Sequence, residues 1–515
     1  NTLAQTFVVQ PYLQDATPNS IWIMWETSEG EESVVMWGLE ETLGIYTIGT
    51  SFSSVGSAVM HEVQITGLER FTTYYYRAVT GQASSQVQSF KTPPFASDEQ
   101  SFRFVAMSDM QKSSADPLKY DEVIHDGVLD YLEQNLTGVA SEDLALVLIP
   151  GDLVDSGNSY DQWEEDFFQY STDLFGKVPV YPVLGNHESN TQYYFQYFHL
   201  PQNGTDGYEE HWWWKDYGNV RFIGLDSNGP YDGDVQLEWL DGVLENTCQT
   251  DSIDFVFAEV HHPYKSELWT PGESDFTGSV VSKMEAFSEA CGKPSIHFFG
   301  HTHGYSRGQS RDHKHVWINV ATAGGAIDYW GDWPQLDYDE FSVSEDDWGF
   351  VLVEVEAGDE PKFSVKRLSR GDGNVDLEFL ENEDITKYDK NYESDNFSYC
   401  FKVKNSDQMI LANIHNEKIR VLDEAEVRNQ IITPLNKEQL FFSNAMLSMF
   451  YNVLLVEAKA GSGKTLLALS CALKLVRKKM YQRIIYIRNS IESLDKGEDV
   501  GYLPGLEEKF AIYNH

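Results

Sequence analysis

Asp109-Met110-Gln111, Gly151-Asp152-Leu153-Val154-Asp155, Gly185-Asn186-His187-Glu188, His261-His262-Pro263 and Gly300-His301-Thr302-His303 each set oxygen or imidazole donors just beyond a short apolar run. Carboxylate, amide and imidazole without thiolate suit a borderline divalent ion such as Mn, Fe or Zn. Seven or eight donors exceed one tetrahedral site. Two ions sharing a bridging carboxylate would use them all, and such a pair activates a hydroxide for in-line attack on phosphorus. Each motif alone is commonplace, because an isolated His-x-His is usually a surface pair and Gly-Asp occurs in ordinary turns. The ordered set is not commonplace, and context of this kind is what gives a short motif meaning.

The elements that must present these donors are short buried strands. Residues 102–107, 144–149, 178–184, 220–225, 255–260 and 296–299 are continuous apolar runs, the signature of strands covered on both faces. Between them, residues 121–136 and 236–245 have helical spacing. An α/β layer domain over residues 98–370 is expected, with glycines at the strand ends permitting sharp turns and close approach. Residues 1–92 read instead as all β. Ile21-Trp22-Ile23-Met24-Trp25 and Tyr74-Tyr75-Tyr76-Arg77-Ala78-Val79 are aromatic and β-branched, and turn-rich pieces separate them, which predicts a sandwich. The two prolines of Thr92-Pro93-Pro94-Phe95 mark the linker between the two.

Charge divides the chain further. Residues 1–396 hold 21 basic and 68 acidic groups, whereas 397–515 hold 16 and 13. The acidic part repels nucleic acid and anionic membranes, and its surface chemistry is that of an exported protein, extracellular or periplasmic. No run approaches the roughly 20 apolar residues of a membrane span, and no leader is visible at Asn1. The near-neutral part looks cytoplasmic in origin. Cys248, Cys291, Cys400 and Cys471 match no zinc spacing. Cys248 and Cys291 would pair in an exported protein, and buried free thiols are the alternative.

Residues 371–400 read as an acidic linker or a tail of the central domain. Beyond them, Asn452-Val453-Leu454-Leu455-Val456-Glu457 is a strand, Ala458-Lys459-Ala460-Gly461-Ser462-Gly463-Lys464-Thr465 a glycine loop, and 466–479 a helix. Strand, loop and helix are the context a phosphate-cradling P-loop requires. Backbone N–H groups at Gly461 and Gly463 with Lys464 would hold the phosphates of ATP, and Thr465 would meet Mg. No acidic strand end follows the second strand at 484–487, so residues 401–515 form a partial P-loop segment in which phosphate binding is expected without hydrolysis.

The ordered donor set resembles the calcineurin-like metallophosphoesterase family. The sandwich in front of it is similar to the purple acid phosphatase branch, as are Asp216-Tyr217-Gly218-Asn219-Val220, Gln236-Leu237-Glu238-Trp239-Leu240 and Ala323-Gly324-Gly325. This resemblance implies a four-layer α/β sandwich and hydrolysis of a small phosphoester by a metal-bridging hydroxide. By motif, Asp109, Gln111, Asp152 and His303 would hold one ion. Asp152 would bridge to a second, completed by Asn186, His261 and His301. His187 matches the family's proton donor, with Glu188 as its orienter. His262 remains an alternative to His261, which the family's His-x-Pro pattern favours. Gln111 stands where many relatives have His, and Asp155 where purple enzymes have the chromophoric tyrosine, so a coloured Fe(III) form is not expected. Asp312, His313 and His315 lie beyond the motif and read as loop residues. Residues 65–77 resemble the end of a fibronectin type III domain with Tyr74 as its tyrosine corner, and residues 401–515 resemble the start of a PhoH-like P-loop ATPase. A nucleotide-binding regulatory protein, or a surface adhesion protein with a structural metal, are the rival readings.

Overall fold

Side-chain alternation fixes the first module. In strand Thr73–Thr80 every second residue is buried, as a half-covered strand requires. It lies in a sheet with Val34–Gly38, Ile45–Ile48, Ala83–Ser84 and Gln88–Lys91. A second sheet joins Phe7–Thr17, Ser20–Thr27, Val59–Thr66 and Thr50–Ser53. Leu13, Ile23, Trp25, Val63, Tyr76 and Phe90 fill the space between them. The Tyr74 hydroxyl accepts the Glu69 N–H at 2.9 Å, the bond a tyrosine corner makes. The chain is seen here as a computed structural model that describes residues 5–310, 314–329, 331–370, 378–384, 398–402, 409–415, 418–422, 424–435, 437–448 and 464–485.

The central domain has two sheets. In the first, Val180–Pro182, Val147–Ile149 and Phe102–Ala106 are parallel, and Gly349–Glu356, Lys362–Ser369 and Glu378–Asp384 continue antiparallel. The second runs Trp213–Tyr217, Val220–Leu225, Phe255–Val260, Ser295–Phe299, His315–Val320, Tyr305–Gln309 and Phe341–Glu345. Phe104 meets Phe222, Phe257 and Phe298 at ring separations of 5.2 to 5.9 Å, so the sheets pack face to face. Helices Asp234–Cys248 and Asp275–Cys291 cover the second sheet through Leu240, Val280 and Met284. A helical stretch over 119–135 packs Val123, Ile124 and Val128 into the first-sheet core. This is the four-layer arrangement. Cys248 and Cys291 are joined by a disulfide across the ends of their two helices.

Within the segment read as an acidic linker or a tail of the central domain, Glu378–Asp384 is a strand paired along Lys362–Ser369. One local reading is corrected. His315 is no loop residue: it opens strand His315–Val320, fully buried, where its Nδ1 meets Ser295 Oγ at 2.8 Å and its Nε2 meets His297 Nδ1 at 3.0 Å. Asp312 and His313 lie outside the described residues.

Sandwich and central domain share one core. Val9, Tyr12, Met24 and Met60 cluster with Phe167, Phe168 and Tyr197. Across the seam Tyr76 OH donates to Gly176 O at 2.7 Å, Tyr181 OH accepts the Ala16 N–H at 2.9 Å, and Gln14 Nε2 donates to Val180 O at 3.0 Å. The fully buried Glu26 carboxylate accepts from Tyr160 OH and Tyr197 OH, both at 2.9 Å. Contacts divide the chain once, at Asp389 and Lys390. The second unit holds a three-stranded antiparallel sheet of Ser398–Lys402, Met409–His415 and Lys418–Val421 and the helices Glu424–Arg428, Lys437–Ser448 and Lys464–Arg477. Lys464 and Thr465 start the last helix. Gly461, Gly463 and the expected strand at 452–457 lie outside the described residues.

Candidate metal centre

The parallel strands of both sheets end on one side of the molecule, the usual place for a site in an α/β fold. Asp109 follows Phe102–Ala106, Asp152 follows Val147–Ile149, Asn186 follows Val180–Pro182, His261 follows Phe255–Val260, and His301 and His303 follow Ser295–Phe299. Bonds between loops hold them in register: Gly300 N–H to His261 O at 2.9 Å and Met110 N–H to Asp152 O at 2.8 Å. At Gly185 a Cβ would stand 2.1 Å from Asp152 Oδ1 and 2.3 Å from its backbone nitrogen, so only glycine lets the two loops touch. Asp109, Asp152 and His301 have φ of 61°, 55° and 71°, a left-handed backbone that costs a side-chain-bearing residue on the order of 1 kcal/mol or more and collects at functional sites.

The donors converge in two groups. Asp109 Oδ1 stands 3.2 Å from His303 Nε2, and Gln111 Nε2 stands 3.1 Å from His303 Nε2 and 3.4 Å from Asp152 Oδ2. On the other side of Asp152, its Oδ2 is 3.3 Å from His261 Nε2, which lies 2.9 Å from Asn186 Oδ1. The His301 ring packs 5.0 Å from His261 and 4.3 Å from His262. Donor atoms of Asp109, Asp152 and His261, and of His261, His262 and His301, each fall within 4.8 Å of one another. His261 faces Asp152, whereas His262 meets Ser227 Oγ with Nδ1 at 2.8 Å.

The electrostatics are those of a site built around positive charge. Burial pushes Asp152 up, yet the charges of His261 and His187 hold its carboxyl well below the usual range. Burial lowers His261 and His303, but the Asp152 and Asp109 carboxylates outweigh it and raise each to about 9. Burial lowers His262 to about 3 and His301 to about 2, with the neighbouring His261 charge adding to it. Gln111 Oε1 is buried with no hydrogen-bond partner. A buried acceptor left bare is costly, and together with two buried carboxylates and a ring of imidazoles it fits a pair of divalent cations.

His187 is held differently from the rest. Its Nδ1 donates to Asp155 O at 2.6 Å, and its Nε2 points inward, 3.9 Å from Asp152 Oδ2. Its pKa is raised: burial lowers it, and the Asp152 charge, the bond to the Asp155 carbonyl and the Glu188 and Asp109 charges together more than offset that. The Asp155 side chain is 60 % exposed. Glu188 does not orient His187, as sequence reasoning had it. Its fully buried carboxylate accepts backbone N–H groups from Gly185 at 2.7 Å, Leu153 at 2.8 Å and Asp152 at 2.9 Å, so it fixes the two donor loops. Burial and the Asp152 charge lift it to about 7. Sequence reasoning also missed Ser227, two residues past strand Val220–Leu225, and Asp328, whose Oδ2 accepts the His303 N–H at 2.7 Å; that strand end and the Ala323-Gly324-Gly325 motif just before Asp328 were the signals that could have found them.

Comparison with known proteins agrees with the geometry. The family described as calcineurin-like phosphoesterase matches residues 102–305, the purple acid phosphatase N-terminal domain matches 8–92, and the PhoH-like protein family matches 431–515. Purple acid phosphatase 15 of Arabidopsis thaliana is 25 % identical over 333 residues, 56 % of this chain and 62 % of that protein. Probable purple acid phosphatase 20 of Arabidopsis thaliana is 25 % identical over 321 residues, 59 % of this chain and 69 % of that one. The alignment thus spans under two thirds of the first of these relatives. Among solved structures, purple acid phosphatase PPD1 from yellow lupin superposes with a TM-score of 0.57 at 18 % identity, over 70 % of this chain and 71 % of that one. PhoD superposes with a TM-score of 0.54 at 11 % identity over 92 % and 98 %. These likenesses show the fold.

Proposed function

We propose, from the premise that this chain is a calcineurin-like metallophosphoesterase with a purple acid phosphatase N-terminal domain, that it hydrolyses small phosphate esters at a two-metal centre. The observation that carries the reading is the convergence of buried Asp109 and Asp152 with His261, His303 and the Gln111 amide at the strand ends. Asp109, Gln111, Asp152 and His303 would hold one ion, and Asp152, Asn186, His261 and His301 the other. When bound, the ions neutralise charge on the phosphoryl oxygens and lower the pKa of a water.

The chain's own residues do the rest. Glu188 holds the Asp152 and Asn186 loops at fixed separation through their backbone N–H groups. His187 is anchored by the Asp155 carbonyl through Nδ1, and the surrounding carboxylates, Asp152 foremost, raise its pKa and so favour the form that also carries a proton on Nε2. From there it donates to the departing alcohol oxygen, a general-acid role. The Cys248–Cys291 disulfide supports an oxidising, extracellular or periplasmic setting for this part of the chain, and none of the described helices is long and apolar enough to cross a membrane.

The test is turnover of a phosphoester panel before and after chelation, with metal analysis of the purified protein. Loss on chelation, recovery with Mn, Fe or Zn, and about two ions per chain are expected. Turnover indifferent to chelation overturns the reading, and nucleotide binding without turnover favours the PhoH-like alternative.

A further inference from the structure

The rim of the centre carries two tryptophans that the chemistry above does not use. Trp269 leans on the His301 ring at 5.2 Å between centroids. The Trp333 ring lies 6.3 Å from that of Trp269 with the planes 53° apart, a V of two splayed faces. Trp333 is 52 % exposed, so the core gains little from it. Its position is nevertheless fixed. Its side chain lies close enough to Asp328 to lower that carboxyl's pKa, and the Asp328 carboxylate accepts the His303 N–H at 2.7 Å. The Thr270 N–H donates to Pro334 O at 3.1 Å, tying the two tryptophan segments together. Each histidine of the His301-Thr302-His303 turn therefore anchors one wall of the V.

What such a cleft recognises follows from shape and charge. Among the described residues, the lysines that follow the Gln111 and His262-Pro263 segments are already engaged, Lys112 with Asp166 at 2.9 Å and Lys265 with Glu340 at 2.8 Å. What the tryptophan pair itself offers the part of the substrate beyond the phosphate is aromatic surface. His301, which would hold one of the ions, packs directly on Trp269, so the tryptophan pair borders the place where a bound phosphate would be held. We infer that the substrate is a phosphate monoester whose alcohol carries a flat aromatic group, which lies in the cleft between Trp269 and Trp333. The inference rests on the phosphoesterase reading and adds the chemical class of its leaving group.

The test uses the metal-loaded full chain with 2-naphthylmethyl phosphate and cyclohexylmethyl phosphate, esters whose leaving alkoxides differ little in basicity. Wild type is expected to favour the naphthyl ester in kcat/KM. Trp333→Ala should lower the naphthyl-over-cyclohexyl ratio about tenfold, the size of one aromatic stacking contact, chiefly through KM and with metal content unchanged. Trp333→Phe should restore most of it. A ratio that stays within about twofold in Trp333→Ala while both esters turn over overturns the aromatic subsite and leaves the phosphoesterase reading standing. Turnover of neither ester by loaded wild type overturns that reading, and the subsite with it.

Discussion

His261 and His303 carry protons wherever they carry no cation, since Asp152 and Asp109 raise both to about 9. A metal needs the neutral imidazole. Loading the empty site at pH 7 should therefore release about two protons, and affinity should climb with pH up to about 9. Calorimetry of metal binding in buffers of different ionisation enthalpy reads this directly, and an absence of proton release would show that these histidines are not ligands. On the proposed assignment, Asp152→Asn would take one ligand from both ions. Turnover should fall by several kcal/mol in barrier, and retention of more than about a tenth of the wild-type rate would sink the shared-carboxylate assignment. His187→Ala should keep the metals and lose rate, because no donor contact of the centre runs through its ring. Equal loss of metal would put His187 among the ligands. The donor residues were legible because each follows a strand end in order. Glu188 was read as the orienter of His187, and its true partners could not be read because they are backbone N–H groups brought together by folding.

At the scale of elements, the buried strands announce themselves as apolar runs, and Phe102–Ala106, Val220–Leu225 and Phe255–Val260 lie within a residue or two of where the sequence puts them. Tyr305–Gln309 and Phe341–Glu345 do not announce themselves. They hold Ser, Arg, Gly, Gln and Glu at positions that a continuous apolar run would fill, and their partnership comes from the sheet edge rather than from composition. Strand Ser295–Phe299 carries a second hidden device. His297 is fully buried with Nε2 unpartnered, and burial lowers its pKa to about 3. Unfolded, it titrates near 6.5. The unfolded chain thus binds the extra proton between these values, so the stability contribution is complete above pH 6.5 and is lost as pH falls towards 3, at about 1.4 kcal/mol per pH unit at full slope. His297→Gln should flatten the pH dependence of the denaturation midpoint between pH 7 and 5. An unchanged slope would assign the acid lability elsewhere.

For the whole molecule, the charge step between residues 1–396 and 397–515 and the division of contacts at Asp389 point the same way. Deleting residues 401–515 should leave phosphoester turnover unchanged, measured as kcat/KM on the trimmed chain. Lost turnover would mean that the C-terminal unit supports the centre. The sandwich is a different matter. The sequence marks only a two-proline linker between it and the central domain and says nothing of the seam, which is made by residues scattered along both, such as Tyr12 with its ring 4.7 Å from that of Phe168. Removing the sandwich would uncover Phe168 and Tyr197 and leave the hydroxyls of Tyr160 and Tyr197 without Glu26. The seam therefore bears on inheritance as well as on stability. A recombination event that carried off the catalytic domain alone would deliver a domain with an open apolar flank, so the pair must be passed on together, and a shuffled library should yield active offspring only where both halves of the seam come from one parent.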